Sequence, residues 1–140
     1  MKTKFKNILI GITFLFSAFI FAEQTSKKVY VVPIQDVIDL GIPGLVTRAI
    51  NLAETDNASL IIFDIDTFGG RVDAATQIKD AISSTEIETI AFINRRAISA
   101  GSLISLSCDQ IYMTEGATIG ATSVVDMSGS KQTEKSQRYL

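Results

Sequence analysis

The chain of 140 residues contains no histidine, a single cysteine and two prolines. A Ser-His-Asp triad is therefore excluded within this chain, because the imidazole that would take the serine proton is missing. One cysteine, Cys108, cannot form an internal disulfide. It stands in the run Leu103-Ile104-Ser105-Leu106-Ser107-Cys108, which reads as a small apolar core position rather than a reactive thiol. A large net charge is also missing. At -2, the balance gives no electrostatic basis for a nucleic-acid partner. No internal repeat or low-complexity segment interrupts the chain.

What is present is a chain of single-domain length, whose 46% apolar content can fill a core without a disulfide staple. Residues 1–22 stand apart from that core. Lys2, Lys4 and Lys6 precede an apolar run from Ile8 to Phe21, followed by Ala22 and Glu23. This order is that of a secretory signal peptide, and the run is short for a full membrane span. Ile20 is not the small residue preferred three positions before a processed bond, so an uncleaved N-terminal anchor stands beside that reading. Either way, the part from 23 to 140 is expected outside the cytoplasm, on the periplasmic or extracytoplasmic face of the membrane.

From Lys28 onward strand and helix patterns alternate. Val29 to Ile34 is rich in β-branched residues and predicts a strand. Ile42 to Ala53 carries apolar residues at helical spacing. Leu60 to Asp66 is a continuous apolar run ending in acids, expected of a strand buried on both faces. Asp73 to Ile82 reads as a helix with Asp73 as its N-cap. Ile90–Ile93 predicts a third strand, Ala100–Cys108 a third helix and Gln110–Met113 a fourth strand. Strands separated by helices of this length predict an α/β fold, a parallel sheet with crossover helices.

In such sheets ligands sit at the carboxyl ends of the strands, where loops enter helices. Two of these loops are unusual. In Asp66-Thr67-Phe68-Gly69-Gly70-Arg71 the glycine pair permits positive φ and close approach of a ligand to the main chain. Its free N–H groups could bind an anion or a developing oxyanion. No Gly-Lys-Ser/Thr follows, which disfavours phosphate. After the third strand, Asn94-Arg95-Arg96-Ala97-Ile98 leads to Ser99, flanked by Ala97, Ala100 and Gly101. A serine there can be a helix N-cap, or a nucleophile with backbone N–H groups beside its hydroxyl. A nucleophile needs a base, and without histidine the precedent is a lysine whose pKa is lowered by burial. The residues alone leave both readings open.

Three ordered blocks, DIDTFGGRVDAATQIKDAI, NRRAISAGSLISLSCDQIYM and EGATIGATSVV, resemble the NfeD-type membrane-bound serine proteases. These belong to the wider clan of the Clp protease proteolytic subunit and signal peptide peptidase A. The resemblance spans about residues 29 to 125. It implies a crotonase-like (ClpP-like) domain over 23–140, with Ser99 as nucleophile and an oxyanion hole formed by the Gly69-Gly70 turn and the Ala100 N–H.

The activity implied is that of a Ser/Lys-type endopeptidase acting on a peptide or a stomatin-like membrane protein, and an apolar groove expected beside Phe68 suggests that it cleaves apolar segments of membrane-associated proteins. It calls for no cofactor and no metal, and is compatible with a homo-oligomer. Two departures stand out. Phe68 occupies a position where the family has proline, and the family's catalytic lysine aligns at or just beyond Leu140, implying a C-terminally truncated domain. Within the chain, Lys135 and Lys131 are the candidate bases. The alternative is an inactive peptide-binding or scaffold domain that keeps the fold. A crotonase enzyme acting on acyl-CoA is disfavoured by the export signal.

Overall fold

The computed structural model describes residues 27–121. In chain order the elements are β1 (Val29–Ile38), α1 (Ile42–Thr55), β2 (Leu60–Gly70), α2 (Val72–Ser84), β3 (Thr89–Ile98), α3 (Ala100–Ser105), β4 (Gln110–Met113) and β5 (Thr118–Gly120). The sheet order is β1-β2-β3-β4, every pairing is parallel, and β5 also pairs with β3. The α/β reading from sequence holds.

The helices form because their apolar residues recur on one stripe. In α1, Pro43 sits in the first turn, where its missing N–H matters least, and Val46, Ile50 and Ala53 are buried behind it. In α2 the buried stripe is Ala74, Ala75, Ile78 and Ile82. These side chains and Ile104 of α3 meet Val32, Ile34, Ile61, Phe63, Ile65, Ala91 and Ile93 in one core. Phe63 is its largest fully buried side chain. Burying each of the larger members contributes roughly 1.5–3 kcal/mol.

Several element boundaries differ from the sequence reading. Strand β2 is not buried on both faces. Burial alternates along it, with Ile61, Phe63, Ile65 and Thr67 inside and Ile62, Asp64 and Asp66 half-buried on the other side. The opposite face carries a half-exposed apolar strip of Val31, Ile62, Ile90, Phe92 and Tyr112 around Asp64. Nor is Asp73 the N-cap of α2. Arg71 holds that position, and Asp73 lies inside the first turn, where its Oδ1 accepts the Ala74 N–H at 2.9 Å. Asp73 also pairs with Arg71 at 2.6 Å. Helix α3 stops at Ser105 instead of Cys108. There the Ser107 hydroxyl donates to the Ile104 carbonyl at 2.6 Å, and the Ser107 and Cys108 N–H groups reach back three residues rather than four.

All three long strands change at the same level, and this positions the site. Between Gln35 and Val37 strand β1 advances two residues while β2 advances three, from Asp66 to Gly69. Between Ile65 and Thr67 strand β2 advances two while β3 advances four, from Ile93 to Ala97. At that level β3 also changes neighbours, from β4 at Ile90–Ile93 to β5 at Arg96–Ile98. Extra residues on one strand bend it and re-aim the side chains beyond them. Gly69, Gly70, Ala97 and Ile98 all lie beyond the slip, on strand rather than on the loops expected from sequence.

Candidate active site

Ser99 joins β3 to α3 with φ 55° and ψ -112°. A non-glycine residue adopts positive φ only when its surroundings fix it there. Here they do. The Ser99 N–H donates to the Gly120 carbonyl on β5 at 2.8 Å, and its carbonyl accepts the N–H groups of Ser102 (3.0 Å) and Leu103 (3.2 Å). The buried Ser102 hydroxyl donates to that same carbonyl at 2.7 Å and lies 3.2 Å from the Gly120 carbonyl. Ser99 occupies the N-cap position, yet its side chain makes no capping hydrogen bond. The N-cap alternative therefore lacks its defining contact.

The small neighbours have geometric reasons. Ala97 and Ala100 are buried. A β-carbon on Gly101 would stand 2.5 Å from the Thr67 methyl carbon, so only glycine lets α3 approach β2 this closely. The two glycines of the turn are needed for different reasons. At Gly69, with φ 105°, a β-carbon would lie 2.8 Å from the Ile98 carbonyl oxygen, 2.9 Å from Ser99 Cβ and 3.1 Å from the Ala100 nitrogen. At Gly70 it would lie 2.2 Å from the Ile38 carbonyl oxygen of β1. The turn is thus pressed against the serine on one side and the edge strand on the other.

The N–H groups of this turn are not equivalent. Gly69 donates its N–H to Thr67 Oγ1 at 2.9 Å. Arg71 donates its N–H to the Ile38 carbonyl at 2.8 Å. Successive N–H groups of an extended strand point to opposite sides, so the Gly70 N–H is directed away from β1.

Beside the serine lies a cleft of about 450 Å³ lined by Phe68, residues 94–96, Ile98 and residues 114–118. Phe68 is 73% exposed. The Arg96 guanidinium sits 4.3 Å from the centre of its ring, a cation–π contact. Asp66 holds both arginines: Arg95 Nε donates to Oδ2 at 2.7 Å, and Arg96 Nε is 3.4 Å from Oδ1. The cleft wall beside Phe68 is therefore part ionic and part apolar.

The sequence candidates separate cleanly. Ser99, Gly69, Gly70 and Ala100 come together at this one place. Lys131 and Lys135 lie outside the described residues, as does the segment 1–22. Lys27 and Lys28 precede β1, at the opposite end of a parallel sheet from Ser99, and Lys79 on α2 pairs with Asp80 at 2.7 Å. Cys108 is half-buried against the edge of the core, and burial, aided by nearby Asp109, pushes its thiol up to about 12. Such a thiol is no nucleophile near neutral pH. Among the described residues no group of His, Cys, Asp or Glu is placed to hold a metal ion, and no helix is long and apolar enough to cross a membrane. The sequence reading missed Thr67, Ser102 and strand β5. Only the alternation in Thr118-Ile119-Gly120 hinted at the last, and three residues are too few to carry a pattern.

Known proteins resemble this chain in sequence and in fold. The family model of the NfeD1b N-terminal domain matches residues 28–140. The Bacillus subtilis membrane protein NfeD1b is 37% identical over 136 residues, covering 95% of this chain and 31% of that protein. A solved structure of the 1510-N membrane-bound stomatin-specific protease, a lysine-to-alanine mutant in complex with a substrate peptide, superposes with a TM-score of 0.74 at 32% identity. The match covers 82% of this chain and 56% of that one. The same protease, from Pyrococcus horikoshii, is also solved as a serine-to-alanine mutant. ClpP1 from Listeria monocytogenes, 20% identical with a TM-score of 0.65 over 78% of this chain and 64% of that one, shares the fold. The chain spans about a third of the length of NfeD1b and about half of the solved protease chain. With a ClpP-like parallel sheet and a family match running from the first strand onward, the chain belongs to the NfeD1b N-terminal domain family.

Proposed function

We propose that this chain carries the nucleophile of a Ser/Lys-type endopeptidase working outside the cytoplasm at the membrane. Ser99 Oγ attacks a peptide carbonyl while a lysine amine takes its proton. The carbonyl oxygen becomes an oxyanion received by the N–H groups of Gly70 and Ala100. Collapse of this intermediate breaks the C–N bond, the lysine returns the proton to the leaving amine, and water then hydrolyses the acyl-serine. The lysine is supplied from outside residues 27–121, with Lys131 and Lys135 as the candidates within the sequence.

The observation that carries this reading is the backbone of Ser99. A strained serine, fixed by four hydrogen bonds to its own N–H and carbonyl, leaves its hydroxyl uncommitted among the described residues. That hydroxyl-bearing Cβ faces a glycine turn 2.9 Å from where a β-carbon would sit. Fixed strain of this kind marks sites that hold a reactive group in place. The solved relative, studied with its serine or its lysine replaced, supports the pairing of these two residue types. That relative is named as specific for a stomatin homolog, and the exposed Phe68 beside Ile98 suits an extended apolar segment of such a membrane protein.

The test is labelling by a fluorophosphonate probe together with cleavage of an apolar peptide, in the chain and in Ser99→Ala. Stoichiometric labelling that disappears in Ser99→Ala, with cleavage lost alongside, is the expected result. Equal cleavage rates in the two proteins would reject Ser99 as nucleophile, and absence of labelling in the unsubstituted chain favours the inactive scaffold.

A further inference from the structure

We propose that Thr67 is a positioning residue that sets the height of the glycine turn, and so the aim of the Gly70 N–H toward the oxyanion. The kinetic part of this proposal rests on the peptidase reading above. Thr67 lies on the inward row of β2, after Ile61, Phe63 and Ile65, and is 1% exposed. A hydroxyl in an apolar row is unfavourable unless both its donor and its acceptor capacity are used. Both are used here. Thr67 Oγ1 donates to the Asp36 carbonyl of β1 and accepts the Gly69 N–H at 2.9 Å.

Each partner sits at a special place. Asp36 has φ 61° and marks the register slip of β1 against β2. Gly69 has φ 105° and touches the serine turn. The Thr67 methyl packs on the third partner, since Gly101 of α3 approaches it so closely that a β-carbon there would be 2.5 Å away. One side chain thus joins the bend of the edge strand, the glycine turn and the helix that carries the nucleophile. Removing the hydroxyl leaves the Gly69 N–H without this partner in a buried place and frees the Asp36 carbonyl at the half-buried edge of the sheet. The turn then rotates to satisfy them, and the Gly70 N–H rotates with it.

Two substitutions divide the side chain into its parts. Thr67→Val keeps the branched shape and the methyl against Gly101 but loses the hydroxyl. Thr67→Ser keeps the hydroxyl and loses the methyl. We expect Thr67→Val to lower kcat for peptide cleavage about a hundredfold, as a misplacement near 1 Å does, with KM within about twofold. Thr67→Ser should stay within about fivefold of the unsubstituted chain. Amide hydrogen exchange at Gly69, which needs no catalysis, should accelerate in Thr67→Val and not in Thr67→Ser. Valine matching or exceeding serine in kcat, or unchanged Gly69 exchange in the valine variant, would overturn the proposal. If the unsubstituted chain neither labels nor cleaves, the peptidase reading fails, and Gly69 exchange alone then decides whether Thr67 holds the turn.

Discussion

Gly69 and Ser99 approach so closely that a β-carbon on the glycine would stand 2.9 Å from the serine Cβ. The contact joins strand β2 to the end of β3 across their register slip. It means that the turn and Ser99 position each other, and that any side chain at residue 69 separates them.

Gly69→Ala tests this directly. The alanine must hold φ 105° and push against backbone atoms of Ile98 and Ala100. Strain at one such residue costs on the order of 1–3 kcal/mol, so the urea midpoint should fall. On the proposed function, reactivity of Ser99 toward a fluorophosphonate should fall further than stability explains, by about a hundredfold, because the proposed oxyanion site is displaced. A variant that loses stability but labels at the unsubstituted rate would show that the contact is only structural.

Gly44 is the contrasting glycine. It lies in the first turns of α1, is exposed, and has nothing within 4 Å of the place a β-carbon would take. Gly44→Ala removes unfolded-state freedom without a clash, so it should stabilise by about 0.4–1 kcal/mol. Urea unfolding of the single variant measures it. A destabilised Gly44→Ala would show that the freedom of the unfolded chain does not govern this position.

The legibility of the fold in sequence differs from element to element. The apolar runs Leu60–Phe63 and Ile90–Ile93 fix their strands because β-branched and aromatic residues suit a pleated, buried surface. The second halves of β2 and β3 carry glycines, arginines and alanine, whose strand pairing depends on neighbours far along the chain. The one-sided burial of β2 was hidden because Leu60, Ile62 and Phe63 are all apolar, and only the fold decides which side the helices cover. The small neighbours of Ser99 drew attention to it but left it as helix cap or nucleophile, and the family resemblance made it the nucleophile candidate. Thr67 was not visible, since one of its partners is 31 residues away and the other is a backbone N–H.

Asp109 provides a pH-dependent tie between β3 and β4. Its Oδ2 accepts both the N–H and the hydroxyl of Thr89 at 2.7 Å each, and these bonds hold its carboxyl below the ordinary range. A carboxylate depressed in the folded state contributes stability above its unfolded pKa, near 3.9. That contribution disappears as pH falls through the lower folded value. The carboxylate is exposed, so the effect is small. Urea midpoints compared at pH 6 and near pH 3 should fall more for the unsubstituted chain than for Asp109→Asn. Equal falls would show that other carboxylates carry the acid sensitivity.

Cys108 reports on the opening of the region around α3. Its thiol is held up near 12 chiefly by burial, and its Sγ lies 3.7 Å from the Ile104 carbonyl, its hydrogen-bond acceptor. Only the thiolate reacts with a disulfide reagent, and an ordinary thiol titrates near 8.5. At pH 8 the native chain should therefore react at least about a hundredfold more slowly than the same chain in urea, since the thiolate is that much scarcer in the fold. The native rate should track local opening and rise in Ser102→Ala, where the hydroxyl tie from α3 to the Ser99 carbonyl is lost. Reaction of the native thiol at the rate of a free cysteine would place Cys108 on an open surface and overturn its packing against the core.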